Sequence, residues 1–228
     1  MAQPIIVFDL DGTLVDTAPD LLESLNHTLG AGGMTLTDTK GFHRFVGHGG
    51  RVMIERAYAA QQRKLATDEH DRLFDVFLGH YGSNIPGKSQ PYPGVLEALD
   101  RFAAQGFLLA ICTNKTSEFS ERLIAALGLT PRFAAICGAD TFAFRKPDPR
   151  HLIETIAKAG GDPSRAVMVG DSQTDIDTAK AAGIPVVAVD FGYTDRHVRE
   201  YEPSAIISHF DELTVGLATG LIAATAGR

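Results

Sequence analysis

Six short apolar runs with helical patterns between them constrain the fold of this chain more than any other feature. The runs cover 4–8 (PIIVF), 107–112, 133–137, 166–169 (AVMV), 185–189 (PVVAV) and 205–207. None shows the polar alternation of a strand with one wet face. Each therefore predicts a strand buried on both faces, as in a parallel sheet. Between them the spacing predicts helices over 95–104, 118–127, 150–159 and 174–182, several of them stopped by a glycine: Gly106, Gly128, Gly160 and Gly183. Such alternation builds right-handed βαβ units, so the expected class is α/β with a doubly wound parallel sheet. Leu213, Leu217 and Leu221 recur every four residues and predict one more helix, packed on the core.

One region breaks this rhythm. Between Asp16 and Gly87 there is no convincing strand. Leu22, Leu25 and Leu29 share one face of a predicted helix, with Asp16 or Thr17 as its cap and Pro19 in its first turn. Two further helices are expected over 52–65 and 68–81. The linker PGKSQPYPG at 86–94 then stops helix formation. The expected organisation is a Rossmann-like core made of 1–15 and 88–228, interrupted by an all-helical insert over 16–87.

Charge and composition exclude several classes. The 228 residues carry a net charge of −7, which argues against a broad basic face for nucleic acid. Cys112 and Cys137 each end an apolar run and read as reduced core thiols rather than a disulfide framework. The N-terminus has no basic segment before its apolar run, so it does not read as a signal peptide. The longest uncharged stretch, 213–227, falls short of the ~20 residues that span a bilayer. A soluble, cytoplasmic protein without a membrane partner is expected.

Three of the predicted strands end in polar groups. The first runs into Asp9, Leu10, Asp11, Gly12 and Thr13, and while the chain stays extended Asp9 and Asp11 point the same way. The AVMV strand ends in Gly170, Asp171 and Ser172, with Asp175 one helical turn on. The strand over 107–112 ends in Thr113, Asn114 and Lys115. Open α/β sheets bind ligands at the carboxyl ends of their strands. Three or four carboxylates gathered there repel one another, by ~4 kcal/mol for a pair ~4 Å apart at an effective dielectric of 20. A hard divalent cation relieves this, and magnesium is the expected one. Lys146, in RKPDP, is placed to reach the cluster as a point charge. Singly, these residues are ordinary turn formers, helix caps or a surface lysine. In this order, each at a strand terminus, they point to a site.

The segment DLDGTLVD resembles the first motif of the haloacid dehalogenase-like hydrolase superfamily. Thr113, Lys146 and GDSQTD resemble its second, third and fourth motifs, and the four occur in order. Within that superfamily the chain is most similar to bacterial phosphoglycolate phosphatases, through FVGHGGRVMIERA, TNKT and RKPDP. The resemblance implies that the helical insert is a cap and that the chain is a magnesium-dependent phosphatase. It implies that Asp9 is a nucleophile forming an aspartyl-phosphate, and that Asp11 is the acid and base. Asp9, the Asp11 backbone carbonyl and Asp171 would bind the metal. Thr113, the Asn114 backbone N–H and Lys146 would hold the phosphoryl oxygens. Asp175 would either support the metal shell or hold Lys146. Dehalogenases lack an acid/base Asp at the place of Asp11, so phosphoryl transfer is favoured.

Specificity is expected from the cap. The loop Gly47, His48, Gly49, Gly50 allows close approach to a small anion, and His48 and Arg51 are candidate contacts to a substrate carboxylate, with Gly12 among the core contacts. The expected substrate is a small phosphate ester, 2-phosphoglycolate first; a nucleotide, sugar phosphate or pyrophosphate, or a sugar phosphomutase of the same fold, are the alternatives. A dinucleotide-binding oxidoreductase is disfavoured, because no GxGxxG follows the first strand. A monomer or homodimer is expected.

Overall fold

The first apolar run of the chain becomes the middle of the sheet. The computed structural model describes residues 3–42, 45–46, 49–194 and 196–226. Its strands are β1 (Gln3–Phe8), β2 (Val15–Asp16), β3 (Gln90–Pro91), β4 (Leu108–Cys112), β5 (Ala135–Cys137), β6 (Gly161–Gly170), β7 (Val186–Val189) and β8 (Ala205–Ile207). Its helices are α1 (Ala18–Ala31), α2 (Thr39–Phe42), α3 (Gly50–Ala60), α4 (Thr67–Ser83), α5 (Val95–Ala104), α6 (Ser117–Ala126), α7 (Pro149–Ala159), α8 (Gln173–Ala181) and α9 (Val215–Ala226). Six strands form one sheet in the order β5-β4-β1-β6-β7-β8, every neighbouring pair parallel.

The expected burial on both faces follows from where β1 lies. Ile5, Ile6, Val7 and Phe8 are all fully buried, each contributing roughly 1.5–3 kcal/mol. Ile6 and Phe8 join Val95, Leu99, Phe102 and Leu123 on one side of the sheet. Ile5 and Val7 join Leu152, Ile156 and Ile176 on the other. A single strand thus feeds two apolar layers, one under α5, α6 and α9 and one under α7 and α8. The chain moves outward from β1 through β4 to β5, then returns to the far side of β1 with β6. The carboxyl ends of β4, β1 and β6 therefore meet where the winding reverses, the usual place for a ligand crevice.

Residues between β2 and β3 form helices with an apolar cluster of their own. Leu25 and Leu29 of α1, Met53 and Ile54 of α3, and Phe77 and Tyr81 of α4 pack there, with Tyr193 reaching in from the loop after β7. The two chain crossings lie side by side: β2 and β3 pair antiparallel, Val15 opposite Pro91 and Asp16 opposite Gln90. Asp20 ties the second crossing to α1 by accepting from the Lys88 and Ser89 backbone N–H groups and the Ser89 hydroxyl.

Two boundaries shift by five residues from expectation, and one short strand pair was not expected. β6 begins at Gly161 instead of 166, because Gly161 pairs with Gln3 although GDPSR offers no apolar run. α3 stops at Ala60 instead of 65; Gln62 turns left-handed (φ 56°) and the Arg63 N–H bonds back to the Tyr58 carbonyl. The QQRK stretch has no apolar anchor that would carry the helix on. The β2–β3 pairing is too short to leave a periodicity. Cys112 and Cys137 are buried, free and in register on β4 and β5, and burial pushes the Cys112 thiol up to about 12. No described helix is long and apolar enough to cross a membrane.

Candidate active site

Asp9 follows the last residue of β1, and its N–H donates to the Val169 carbonyl of β6, so the sheet itself fixes its position. Its Oδ1 accepts from the Leu10 N–H at 2.7 Å and lies 3.0 Å from Lys146 Nζ. Lys146 is buried to a side-chain exposure of 1% and also reaches Asp175 Oδ1 at 2.5 Å. Two contacts hold the lysine backbone: its carbonyl accepts from Asn114 Nδ2, and its N–H donates to His151 Nδ1 in the first turn of α7. Asp175 is spent within the protein. Its Oδ2 accepts from the backbone N–H groups of Asp171 and Ser172 and from the Ser172 hydroxyl, closing a capping box at the start of α8.

Asp171 lies beside them at the end of β6. Thr13 Oγ1 donates to its Oδ1 and the Tyr193 N–H to its Oδ2, at 3.1 and 2.6 Å. Asp11 has different partners: Thr17 Oγ1 at 2.7 Å and Lys115 Nζ at 2.9 and 3.1 Å from its two oxygens. Thr113 is anchored by its N–H to the Cys137 carbonyl, and its hydroxyl oxygen accepts from the Lys115 N–H.

The electrostatics of this group call for a cation. Asp9, Asp171 and Asp175 each bring a carboxylate oxygen within 4.8 Å of the others. At that separation two charges repel by roughly 3–4 kcal/mol at an effective dielectric of 20. Burial raises the Asp9 carboxyl to about 6 against the pull of Lys146, and burial with the charges of Asp175 and Asp9 raises Asp171 well above the usual carboxylate range. Burial alone would lower Lys146, but Asp175 and Asp9 outweigh it and keep the lysine charged. Four carboxylates here meet two lysines, a formal excess of two negative charges. All the free donors are hard oxygens. The residues present therefore fit a hard divalent cation.

Above the group lies a cavity of about 140 Å³. Asp9, Asp11, Thr113, Lys115 and Asp171 form its polar floor, and Met53, Phe74, Phe77 and Phe119 form much of its apolar roof.

Residues 6–189 match the model of the haloacid dehalogenase-like hydrolase family. This chain belongs to that family. It is 75% identical over 224 residues to a phosphoglycolate phosphatase of Mesorhizobium japonicum, covering 98% of this chain and 99% of that one. A phosphoglycolate phosphatase of Agrobacterium fabrum is 49% identical, over 96% of this chain and 94% of its own. The crystal structure of a predicted phosphoglycolate phosphatase from Haemophilus somnus superimposes with a TM-score of 0.85 at 31% identity, over 92% of this chain and 96% of that chain. The chain is an enzyme of the phosphoglycolate phosphatase-like kind of phosphoric monoester hydrolase.

Of the residues singled out in the sequence, Asp9, Asp11, Thr113, Asn114 and Asp171 line the cavity, while Lys146 and Asp175 lie behind Asp9 without lining it. Three expectations fare differently. Arg51 does not line the cavity: at the start of α3 it pairs with Asp71 of α4 at 2.5 Å and lies over the Phe74 ring, half exposed. A carboxylate on the adjoining helix competes for it locally. Gly12 is not a lining residue either. With φ +79° it makes the turn after Asp11, and a Cβ there would lie 2.4 Å from Asp171 Oδ2, so its missing side chain makes room for that carboxylate. Gly49 and Gly50 line the cavity, while Gly47 and His48 lie outside the described residues.

Sequence reasoning missed Lys115, Thr13 and Tyr193. Lys115 stands just beyond the end of β4, where the chain bends and its N–H turns back to Thr113 Oγ1. Tyr193 follows the apolar run of β7, a fourth strand end of the same kind.

Proposed function

We propose that this hydrolase is a magnesium-dependent phosphatase of small phosphate monoesters acting through an aspartyl-phosphate, with 2-phosphoglycolate as its preferred substrate. The observation that carries the reading is the pair of acids Asp9 and Asp11, each held by its own buried lysine, on the floor of one compact cavity. With Oδ1 held by Leu10 and Lys146, Asp9 has Oδ2 left to attack phosphorus. The P–O bond to the leaving group breaks as the new bond forms. Asp11 protonates the departing oxygen, then takes a proton from the water that hydrolyses the aspartyl-phosphate, which restores both acids. Thr113, the Asn114 N–H and Lys146 hold the phosphoryl oxygens, whose charge grows toward the transition state. Magnesium would be held by Asp9, Asp171 and the Asp11 carbonyl, and when bound it supplies charge neutralisation between carboxylates and phosphoryl group. Asp175 stands behind Lys146 and fixes it, which favours that role over direct metal binding.

Cavity size and kinship support this substrate. A cavity of about 140 Å³ is small beside the ~300 Å³ and more of drug-sized pockets, so it suits a compact leaving group and disfavours a nucleoside. The relatives named above are phosphoglycolate phosphatases. We read residues 16–87 as a cap over the core of 1–15 and 88–228, supported by their separate apolar cluster and by the paired crossings β2 and β3. Phosphate release from a panel of esters tests the proposal. With magnesium, kcat/KM for 2-phosphoglycolate is expected to exceed that for sugar phosphates, nucleoside monophosphates and pyrophosphate by at least about tenfold, and to vanish in excess chelator. A preference for nucleotides or sugar phosphates would overturn the substrate, and turnover in chelator the metal.

A further inference from the structure

Lys115 is a buried cation whose task in the mechanism above is confined to holding Asp11. Among the described residues lining the cavity it is the only cationic side chain. Its surroundings fix it closely. Its N–H donates to Thr113 Oγ1 and its carbonyl accepts from the Ala139 N–H. Its side chain is 6% exposed, with Nζ 4.3 Å from the centroid of the Tyr81 ring. Tyr81 is itself wedged, stacked on Phe77 and edge-on to Phe119. The ammonium has three N–H donors, and Asp11 accepts from it through both oxygens at 2.9 and 3.1 Å, so at most two are committed to that carboxylate.

Among the described residues, most of the rest of the roof is apolar side chain. Leu21, Val46, Met53, Phe74, Phe77 and Leu78 are apolar, and a carboxylate buried against them unpaired would be strongly disfavoured. Asp11 must lie within hydrogen-bond reach of the ester oxygen to protonate it. Lys115 Nζ is bound to that same carboxylate, so it stands on the side of the site where the ester oxygen takes its proton. A carboxylate borne on the carbon next to the ester oxygen therefore falls within its reach.

We infer that Lys115 is the residue that selects a leaving group carrying a carboxylate on the carbon bonded to the ester oxygen. The inference rests on the phosphatase reading above. It gives Lys115 the role that the sequence suggested for Arg51, and it makes Tyr81, from the helical insert, the seat that aims the ammonium.

The test compares 2-phosphoglycolate with its neutral amide, carbamoylmethyl phosphate, on the wild-type protein and on Lys115→Met. Both esters present the same phosphoryl group to Asp9 and Asp11, so any general damage, including partial unfolding, cancels in the ratio of their kcat/KM values. Wild type is expected to prefer the acid. In Lys115→Met that preference should fall about ten- to hundredfold, the worth of one charge-assisted hydrogen bond, chiefly through KM for the acid. A preference retained in the variant would overturn the role of Lys115 and leave the substrate reading standing. No preference in wild type would overturn the substrate reading itself, and this inference with it.

Discussion

Asp9→Asn is expected to lose at least about four orders of magnitude in kcat while remaining folded. The amide has no anionic oxygen to attack phosphorus, yet it is nearly isosteric and still accepts from the Leu10 N–H and from Lys146. The substitution also removes one of three carboxylates gathered within 4.8 Å. In chelator the variant should therefore unfold at a temperature no lower than wild type. Phosphate release with 2-phosphoglycolate and thermal unfolding in chelator check the two halves. Activity within tenfold of wild type would remove Asp9 from the chemistry, and a marked loss of stability would mean that its charge is needed by the fold.

Lys146→Met is expected to damage both activity and stability. Lys146 stands between Asp9 and Asp175, 3.0 and 2.5 Å from their oxygens, at 1% side-chain exposure. Taking one partner from a buried charged group leaves the others uncompensated, at about 3–5 kcal/mol. The loss has a pH signature. The Asp9 carboxyl sits at about 6 in the folded chain, above its ordinary 3.8, chiefly through burial. The folded state thus keeps a proton that the unfolded state releases. Stability from this group is complete below pH 3.8 and is lost as pH rises through 6. Without Lys146 the carboxyl rises further, so the loss extends to higher pH and grows. Urea unfolding in chelator should show Lys146→Met far less stable than wild type at pH 8 and much closer to it at pH 5. The same gap at both values would mean that Lys146 acts by packing and not by charge. Turnover should fall by roughly 10²–10³ as the phosphoryl cradle loses its cation.

What was legible in the sequence follows from which interactions are local. β4, β5, β7 and β8 each lie within an apolar run, and β1 exceeds its run only by the exposed Gln3, because strands covered on both faces are apolar where they are covered. The start of β6 is not legible: Gly161 pairs with Gln3 through backbone alone, and its polar neighbours leave no pattern. The carboxylates could be found because a parallel sheet sends every strand end to the same edge, so order along the chain becomes proximity in space. The division of labour among them could not. Whether Asp175 faces metal or lysine depends on Lys146, 29 residues away, and on a capping box that consumes its second oxygen. Arg51 beside a glycine loop looked like an anion reader; the packing of α3 on α4 brings it to Asp71 instead. Lys115 stood only as the last of three polar residues at a strand end, and its pairing with Asp11 spans 104 residues. Contacts of that range come from the winding of the sheet and carry no local signature.

The account stands on a phosphoryl group carried by Asp9, and that bond is directly observable. Wild-type protein mixed with magnesium and 2-phosphoglycolate, quenched in acid during turnover and digested, can be examined by mass spectrometry. The peptide containing Asp9 is expected to gain the mass of one phosphoryl group, fragmentation to place it on Asp9, and the signal to be absent from Asp9→Asn. Steady turnover of 2-phosphoglycolate with no phosphorylated peptide at any quench time, or with the phosphoryl group on another residue, would contradict it.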